Sequence, residues 1–479
     1  MTMHSQIVVL GGGPGGYAAA FLAADLGLEV TIVEVDPRLG GTCLLRGCIP
    51  SKALLHVAKV ISEAGEMAQW GVEFSKPRLQ LDRMRARRDE VLATLSGGLA
   101  QLAKRRKVRI INARGIFVDS QTLQLEGGDK STYESERITF DHCILATGSI
   151  PAMPKQFKVS PRVMDSTGAL ALEDVPAAML VVGGGYIGLE MGTVYAELGS
   201  AVTVVELLDG LLPGADRDLV KPLEQRLRTK FAGIHLGTKV VELKDAGDKV
   251  EVKMEGPEAS GTFLYDRVLV SIGRRPVTSG IGLENTRVKI NEKGFVVINE
   301  RQETADPRIL AIGDVAGEPM LAHKASHEGK VAAEVLAGEP AAFEPQAIPA
   351  VVFTDPEIAW AGLTADEAKR TGRDVAIAQY PWQASGRATA IGRTDGLTKW
   401  LLDPATDRVL GCGIVGSGAG ELIAEAVVAI EMGCTIRDVA DSIHAHPTLS
   451  ETVGFAGEVY LGTATEVYRP KRKQAEVET

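Results

Sequence analysis

Gln6-Ile7-Val8-Val9-Leu10-Gly11-Gly12-Gly13-Pro14-Gly15-Gly16-Tyr17-Ala18-Ala19-Ala20 stands near the start of a 479-residue chain. The run at 6–10 reads as a strand of the continuously apolar kind found in buried parallel sheets. The small residues from Tyr17 to Ala24 read as a helix, and Val30-Thr31-Ile32-Val33 as the next strand. Gly11, Gly13 and Gly16 match GxGxxG in the turn between strand and helix, and Glu34 follows 23 residues after Gly11. A bare GxGxxG says little in a chain with 53 glycines. Between strand and helix, with an acid at that distance, it becomes specific. Backbone N–H groups and a helix N-terminus hold a pyrophosphate there, and the carboxylate accepts from a ribose hydroxyl. The rival reading is an ordinary glycine turn.

The same pattern returns. Met179-Leu180-Val181-Val182 reads as a strand, Gly183, Gly185 and Gly188 match GxGxxG, and Ala201-Val202-Thr203-Val204-Val205 ends in Glu206, again 23 residues after the first glycine. Two dinucleotide folds in one polypeptide imply two dinucleotides and electrons passing between them. A carboxylate at Glu206 accepts the ribose hydroxyls of NAD and repels the 2′-phosphate of NADP. Leu207-Leu208-Asp209-Gly210 supplies no cation, so NAD is the expected nucleotide.

Between the two folds lies Gly40-Gly41-Thr42-Cys43-Leu44-Leu45-Arg46-Gly47-Cys48-Ile49-Pro50-Ser51-Lys52. Cα atoms five apart in a regular helix lie roughly 8.6 Å from each other, beyond the ~7 Å reach of a disulfide. If Cys43 and Cys48 bridge, the helix is distorted between them, and Gly47 gives the backbone room to bend. Such a short closed loop constrains the unfolded chain little, which suits a redox centre better than a staple. A metal site would need two further ligands, and the neighbouring Leu, Leu, Arg, Ile and Pro offer none.

Hydrophobic residues make up 45% and charged residues 24%, as in ordinary globular enzymes, and the net charge of −10 argues against nucleic acid or an anionic membrane as partner. No signal or transit pattern precedes the first strand and no apolar run reaches the ~20 residues of a membrane helix, so the chain is expected in the cytoplasm, off the membrane. Five cysteines, an odd number, do not read as a secreted framework. Cys143, on the buried strand Phe140–Ala146, and Cys412 and Cys434, in apolar or small-residue contexts, read as packing residues. Helical patterns cover about 52–69 and 82–106, the second with Arg83, Arg85, Arg87 and Arg88, then Lys104 to Lys107 beyond. A solvated face is the expected reading of that charge, over a docking patch for an acidic partner. Beyond the linker Gly338-Glu339-Pro340, residues 348–470 mix strands with helices at 364–371 and 420–433, an α+β domain without a nucleotide signature.

GGTCxxxGCIPSKALL at 40–55, the two fingerprints, ATGS at 146–149, IGRRP at 272–276, AIGDV at 311–315, MLAHKA at 320–325 and HAHPTLSE at 444–451 together resemble the class I pyridine nucleotide–disulfide oxidoreductases, within them the dihydrolipoyl dehydrogenase branch. Leu45-Arg46 departs from the Asn-Val common there, and the end from Tyr468 to Lys473 is more basic than usual. The resemblance implies an α/β chain with two Rossmann-like domains and a C-terminal α+β dimerisation domain. Its parts would be 1–150 for FAD and the redox pair, 151–276 for NAD, 277–346 for a central domain completing the FAD site, 347–470 for the interface, and a tail at 471–479. It implies FAD on Gly11, Gly13, Gly16, Glu34, Gly41, Thr42, Cys43, Lys52, Gly115, Thr147, Gly148, Ser149, Asp314, Met320, Leu321, Ala322 and His323. NAD would sit on Gly183, Gly185, Tyr186, Ile187, Gly188, Glu190, Glu206, Val240 and Gly273, with Lys52 and Glu190 paired near the flavin N5.

Thiol–disulfide exchange needs a thiolate attacker and hence a base. His446 is the best of the 8 histidines, since Glu451 five residues on can orient its ring; His444 reads as packing. By resemblance, Cys43 exchanges with substrate, Cys48 lies against the flavin as the charge-transfer thiol, and the base comes from the second subunit of a homodimer. The expected partners are lipoyl domains of 2-oxo acid dehydrogenase or glycine cleavage complexes. A glutathione reductase-like chain would carry NADP-binding arginines and usually Ala at Gly188. A mercuric reductase-like chain would carry a C-terminal cysteine pair, and a transhydrogenase-like flavoprotein would lack Cys43 and Cys48. A nonenzymatic redox sensor would not need the base.

Overall fold

The computed structural model describes residues 3–157 and 159–468. Arg469 onward, with the expected tail 471–479, lies outside the described residues. The chain forms two compact units, one of Met1–Gly183, Glu242–Val252 and Leu264–Glu344, the other of Gly184–Val241, Lys253–Phe263 and Pro345–Thr479.

In the first unit the apolar runs pair as their burial requires. The elements are β1 (Met3–Leu10), α1 (Pro14–Asp25), β2 (Val30–Glu34), α2 (Gly41–Arg46), α3 (Cys48–Glu66), α4 (Leu81–Arg105), β3 (Arg109–Asn112), β4 (Arg114–Asp119), β5 (Thr122–Glu126) and β6 (Arg137–Leu145). They make a seven-stranded sheet ordered β3-β2-β1-β6-β5-β4, with Ile309–Ala311 added on β6. β1 runs parallel to β2 and β6, Val9 facing Ile32 and Ile144. Helices α1, α4 and Ala322–Leu336 cover the face that carries Val9 and Ile32, and Phe117 and Leu123 of β4 and β5 with Ile281 and Val296 cover the face that carries Val8, which is why all three are wholly buried. Cys143 is buried on β6, as expected. Strand Ile309–Ala311 carries the segment after it onto the first dinucleotide fold, where helix Ala322–Leu336 meets α1 backbone to backbone. A Cβ at Gly15 would lie 2.9 Å from the Ala325 carbonyl oxygen, and one at Gly329 2.5 Å from that of Gly15.

The basic face of α4 divides. Arg87 is solvated and pairs with Glu90, but Arg85 and Arg88 turn inward. Arg85 Nη1 donates to the carbonyls of Leu172 and Glu173 at 2.8 and 2.9 Å, and Arg88 Nη1 to those of Leu170 and Ala171 at 2.6 and 2.9 Å. Helix Ser166–Ala171 ends there, and its last carbonyls have no partner within the helix, so cations are favoured. Two of the four arginines expected in solvent are therefore caps.

In the second unit Ala201–Val205 and Gly233–His235 pair in parallel. A five-stranded antiparallel sheet follows, in the order Ala350–Val352, Glu357–Gly362, Val409–Gly416, Leu397–Leu402, Ala376–Pro381. Helices Ala419–Glu431 and Glu451–Leu461 pack on it around Trp382, Trp400 and Ile414. Cys412 is buried here, while Cys434 is only half-buried. Lys399, 1% exposed, bonds Asp216 and Asp218, each at 2.6 Å. Among the described residues no helix is long and apolar enough to cross a membrane.

Candidate active site

The helix expected through the cysteine pair is broken between them. α2 ends at Arg46, Gly47 takes φ −144° and ψ −109°, and α3 begins at Cys48. A Cβ at Gly47 would lie 2.8 Å from the Thr42 carbonyl oxygen, so glycine lets the chain turn back on itself. The cysteines are unbridged, Cys43 half-buried and Cys48 exposed. The hydrogen bond to Cys48 pushes the Cys43 thiol above its ordinary range, burial adds to that, and the charge of Lys52 works against both.

Arg46 has a partner that the sequence did not disclose. Its guanidinium grips both oxygens of Asp36, with Nη1 at 2.9 Å from Oδ1, the two-point geometry arginine makes best with a carboxylate. Asn112 Nδ2 bonds the carbonyls of Glu34 and Asp36 at 3.0 and 2.7 Å. The redox helix is thereby tied to the loop after β2.

Both fingerprints have the same internal geometry. Glu34 Oε2 accepts from Gly12 N, and Oε1 from Asp36 N at 2.8 Å. Glu206 Oε2 accepts from Gly184 N at 2.6 Å, and Oε1 from Leu208 N at 2.8 Å. Each oxygen keeps a lone pair for a ribose hydroxyl. Burial pushes the Glu34 carboxyl above its ordinary range, and the N–H bonds from Asp36 and Gly12 pull against it.

The first fingerprint fits FAD. Helix α1 has no side-chain cap at Gly13, so its first N–H groups are offered to an anion. A Cβ at Gly16 would lie 1.9 Å from the Gly11 carbonyl oxygen, and one at Gly41 2.6 Å from Gly13 Cα. Side chains at these positions would fill the cradle. Helix Tyr186–Leu198 of the second fingerprint is likewise uncapped at Gly185, where a Cβ meets nothing within 4 Å. That is room for a pyrophosphate.

The remaining expected FAD residues all lie in the first unit. Arg274 Nε donates to Ser149 Oγ at 2.7 Å, and Ser149 donates to Asp314. Thr147 Oγ1 donates to the Val277 carbonyl at 2.8 Å, and Gly148 takes φ +69°. Gly115 is buried on β4, where a Cβ would meet Leu10 at 2.6 Å. Met320, Leu321, Ala322 and His323 lead into helix Ala322–Leu336. That helix brings two residues the sequence reading passed over. Glu328, nearly buried, pairs with Lys324 at 2.7 Å and accepts from Gly313 N at 2.7 Å, fixing the turn that carries Asp314. Of the expected NAD residues, Tyr186 is exposed, Ile187 half-buried, and Glu190 buried with Oε1 accepting from Phe353 N at 3.1 Å. Val240 is buried on strand Lys239–Asp245, and Gly273 takes φ +120°. Lys52 and Glu190 belong to different units.

His446 Nδ1 meets Glu451 Oε1 at 2.8 Å, and Glu451 Oε2 accepts from Thr448 N at 2.8 Å. The carboxylate is 9% exposed and the imidazole 77%, so a buried anion aims a solvent-facing ring. His444 instead turns inward, Nε2 at 2.8 Å from Glu425 and Nδ1 at 2.9 Å from the Ser442 carbonyl oxygen. It is a packing residue, as read. Among the described residues no three His, Cys, Asp or Glu side chains are grouped to hold a metal ion.

The family model for pyridine nucleotide-disulphide oxidoreductase matches residues 5–329, and that for the dimerisation domain of the same family matches residues 348–456. The chain is 47% identical over 477 residues to the dihydrolipoyl dehydrogenase of Vibrio cholerae, covering 98% of this chain and 99% of that one. It is 48% identical over 473 residues to that of Haemophilus influenzae, covering 98% of each. Among solved structures it resembles LpdA of Mycobacterium tuberculosis, with a TM-score of 0.87 at 26% identity, covering 96% of this chain and 100% of that one. It also resembles the HOCl-induced flavoprotein disulfide reductase RclA of Escherichia coli, with a TM-score of 0.82 at 27% identity over 94% of this chain and 98% of that one.

Proposed function

Because the chain belongs to the pyridine nucleotide-disulphide oxidoreductase family, we propose that it is a dihydrolipoyl dehydrogenase, oxidising a protein-bound dihydrolipoyl dithiol and reducing NAD⁺ to NADH with FAD as its resident cofactor. The observation that carries this reading is the pairing of His446 with Glu451. Dithiol oxidation needs a base, and a redox sensor does not.

FAD, when bound, would supply the two-electron redox chemistry that links the protein dithiol to NAD⁺. It would be held by the first fingerprint with Glu34, by Gly41 to Cys43 and Lys52, by Gly115 and Thr147 to Ser149, and by Asp314 and the turn from Met320 to His323. The second fingerprint would hold NAD⁺, with Glu190, Glu206, Val240 and Gly273. Glu206 selects against a 2′-phosphate, since its two neighbours Leu207 and Leu208 are exposed and apolar.

The chain's own work is proton and thiol chemistry. Glu451 fixes the tautomer of His446 by accepting a hydrogen bond from Nδ1–H, so Nε2 can accept the proton of the incoming thiol. The thiolate attacks one sulfur of the oxidised Cys43–Cys48 pair, opening that bond and forming a mixed disulfide. The second substrate thiol then closes the lipoyl ring and releases the second cysteine. We assign the exchange to Cys43 and the flavin side to Cys48. The exposure of His446 supports a homodimer in which each chain lends its base to the other. The partners would be the lipoyl domains of 2-oxo acid dehydrogenase or glycine cleavage complexes, in the cytoplasm.

H446Q tests the reading. It should retain bound flavin and NADH-driven ferricyanide reduction, while turnover of dihydrolipoamide falls at least ~100-fold. Loss of flavin would make the residue structural. Unchanged turnover would remove the base from the mechanism.

A further inference from the structure

A directional run of hydrogen bonds crosses the C-terminal core and ends on the loop that carries His446. Trp382 Nε1 donates to Thr398 Oγ1 at 3.0 Å, the hydroxyls of Thr398 and Thr452 lie 2.9 Å apart, and Thr452 Oγ1 donates to the Leu449 carbonyl at 2.7 Å. An indole N–H can only donate and a carbonyl can only accept. The middle bond therefore runs from Thr398 to Thr452. Trp382, Thr398 and Thr452 are each 0% exposed, so no water competes along the run. The indole is locked at its start, since a Cβ at Gly396 would lie 2.1 Å from the ring and one at Gly416 2.3 Å. The next helical turn is pinned by Trp400 Nε1, which donates to the Val453 carbonyl at 3.1 Å. Glu451 lies between the two anchored carbonyls, with its carboxylate turned to His446.

We propose that Thr398 and Thr452 are positioning residues for dithiol oxidation: by holding the Leu449 carbonyl they set the register of Glu451, and through it the distance and tautomer of His446. The proposal rests on the reading of His446 as the base. Neither threonine touches substrate or cofactor. Both act through the carboxylate.

The test uses the holoenzyme and three variants. T452V keeps the volume and removes the hydroxyl, T452S keeps the hydroxyl and removes the methyl, and T398V breaks the same run one step earlier. Rapid mixing gives the rate at which dihydrolipoamide reduces each protein and, separately, the rate at which NADH does so without the base. T452V and T398V should each slow reduction by dihydrolipoamide about tenfold, part of the ~100-fold that a full ångström of misplacement can cost. Reduction by NADH should stay within about twofold of wild type, and T452S should restore most of the dithiol rate. Several results would overturn the proposal: equal slowing of both half-reactions, an unchanged dithiol rate in T452V, T452S as impaired as T452V, or loss of flavin in both valine variants. A wild-type protein reduced by NADH but not by dihydrolipoamide would instead overturn the substrate assignment beneath it.

Discussion

Replacing Glu451 by Gln removes one charge and leaves the side-chain shape. The carboxylate serves two donors, His446 Nδ1 and Thr448 N, each at 2.8 Å. An amide has one oxygen. If that oxygen keeps Thr448 N, the NH₂ faces Nδ1, the ring must accept there, and its proton moves to Nε2, where a base cannot work. If the oxygen faces His446, two donors collide at Thr448. The lost charge-assisted bond is worth about 1.5–3 kcal/mol. The imidazole is 77% exposed, so solvent screens the ion pair and the lower end applies, ~1.5 kcal/mol. At 1.36 kcal/mol per decade that is about tenfold in kcat/KM, and the misplaced tautomer makes it a minimum. The assay is steady-state oxidation of dihydrolipoamide by NAD⁺, with NADH-driven ferricyanide reduction as the base-independent control. E451Q within about twofold of wild type in dithiol oxidation would refute the reasoning, because the carboxylate would then not be orienting the base.

Three further outcomes follow from the packing. G16A places a Cβ 1.9 Å from the Gly11 carbonyl oxygen, so the turn must open and the protein should purify without flavin, seen as loss of the visible absorption bands. K399M leaves Asp216, with its side chain 5% exposed, without its cation, and should destabilise the fold by about 3–5 kcal/mol, read from the guanidinium midpoint; K399M/D216L should recover part of the loss. The hydrogen bond to Glu425 raises the pKa of His444, against the pull of burial. A raised folded pKa means the stabilisation is complete below about pH 6.5 and is lost as pH rises through the folded value. The melting temperature should therefore fall more steeply above pH 6.5 in wild type than in H444Q.

Short-range geometry was legible in the sequence. Glycines with a strand before, a helix after and an acid at a fixed distance describe one turn, and both turns close on Glu34 and Glu206 with matching bonds. Helix rise called for a break at Gly47 only if Cys43 and Cys48 were bridged, and the break is present with the two thiols unbridged. What stayed hidden depends on residues distant in the chain. Arg85 and Arg88 look like a solvated stripe until residues 170–173 are folded beneath them. Arg46 looks like an unexplained substitution until β2 and α2 bring Asp36 alongside. Trp382, Thr398 and Thr452 carry no motif, and only the sheet register and helix Glu451–Leu461 join them.

The most direct measurement is a set of wild-type steady-state rates, with dihydrolipoamide or glutathione as the thiol and NAD⁺ or NADP⁺ as the acceptor. Fast turnover of dihydrolipoamide with NAD⁺, at least ~100-fold above NADP⁺ and with no turnover of glutathione, is the predicted pattern for Glu206 beside two apolar neighbours. Equal rates with NADP⁺, or no turnover of dihydrolipoamide, would contradict it.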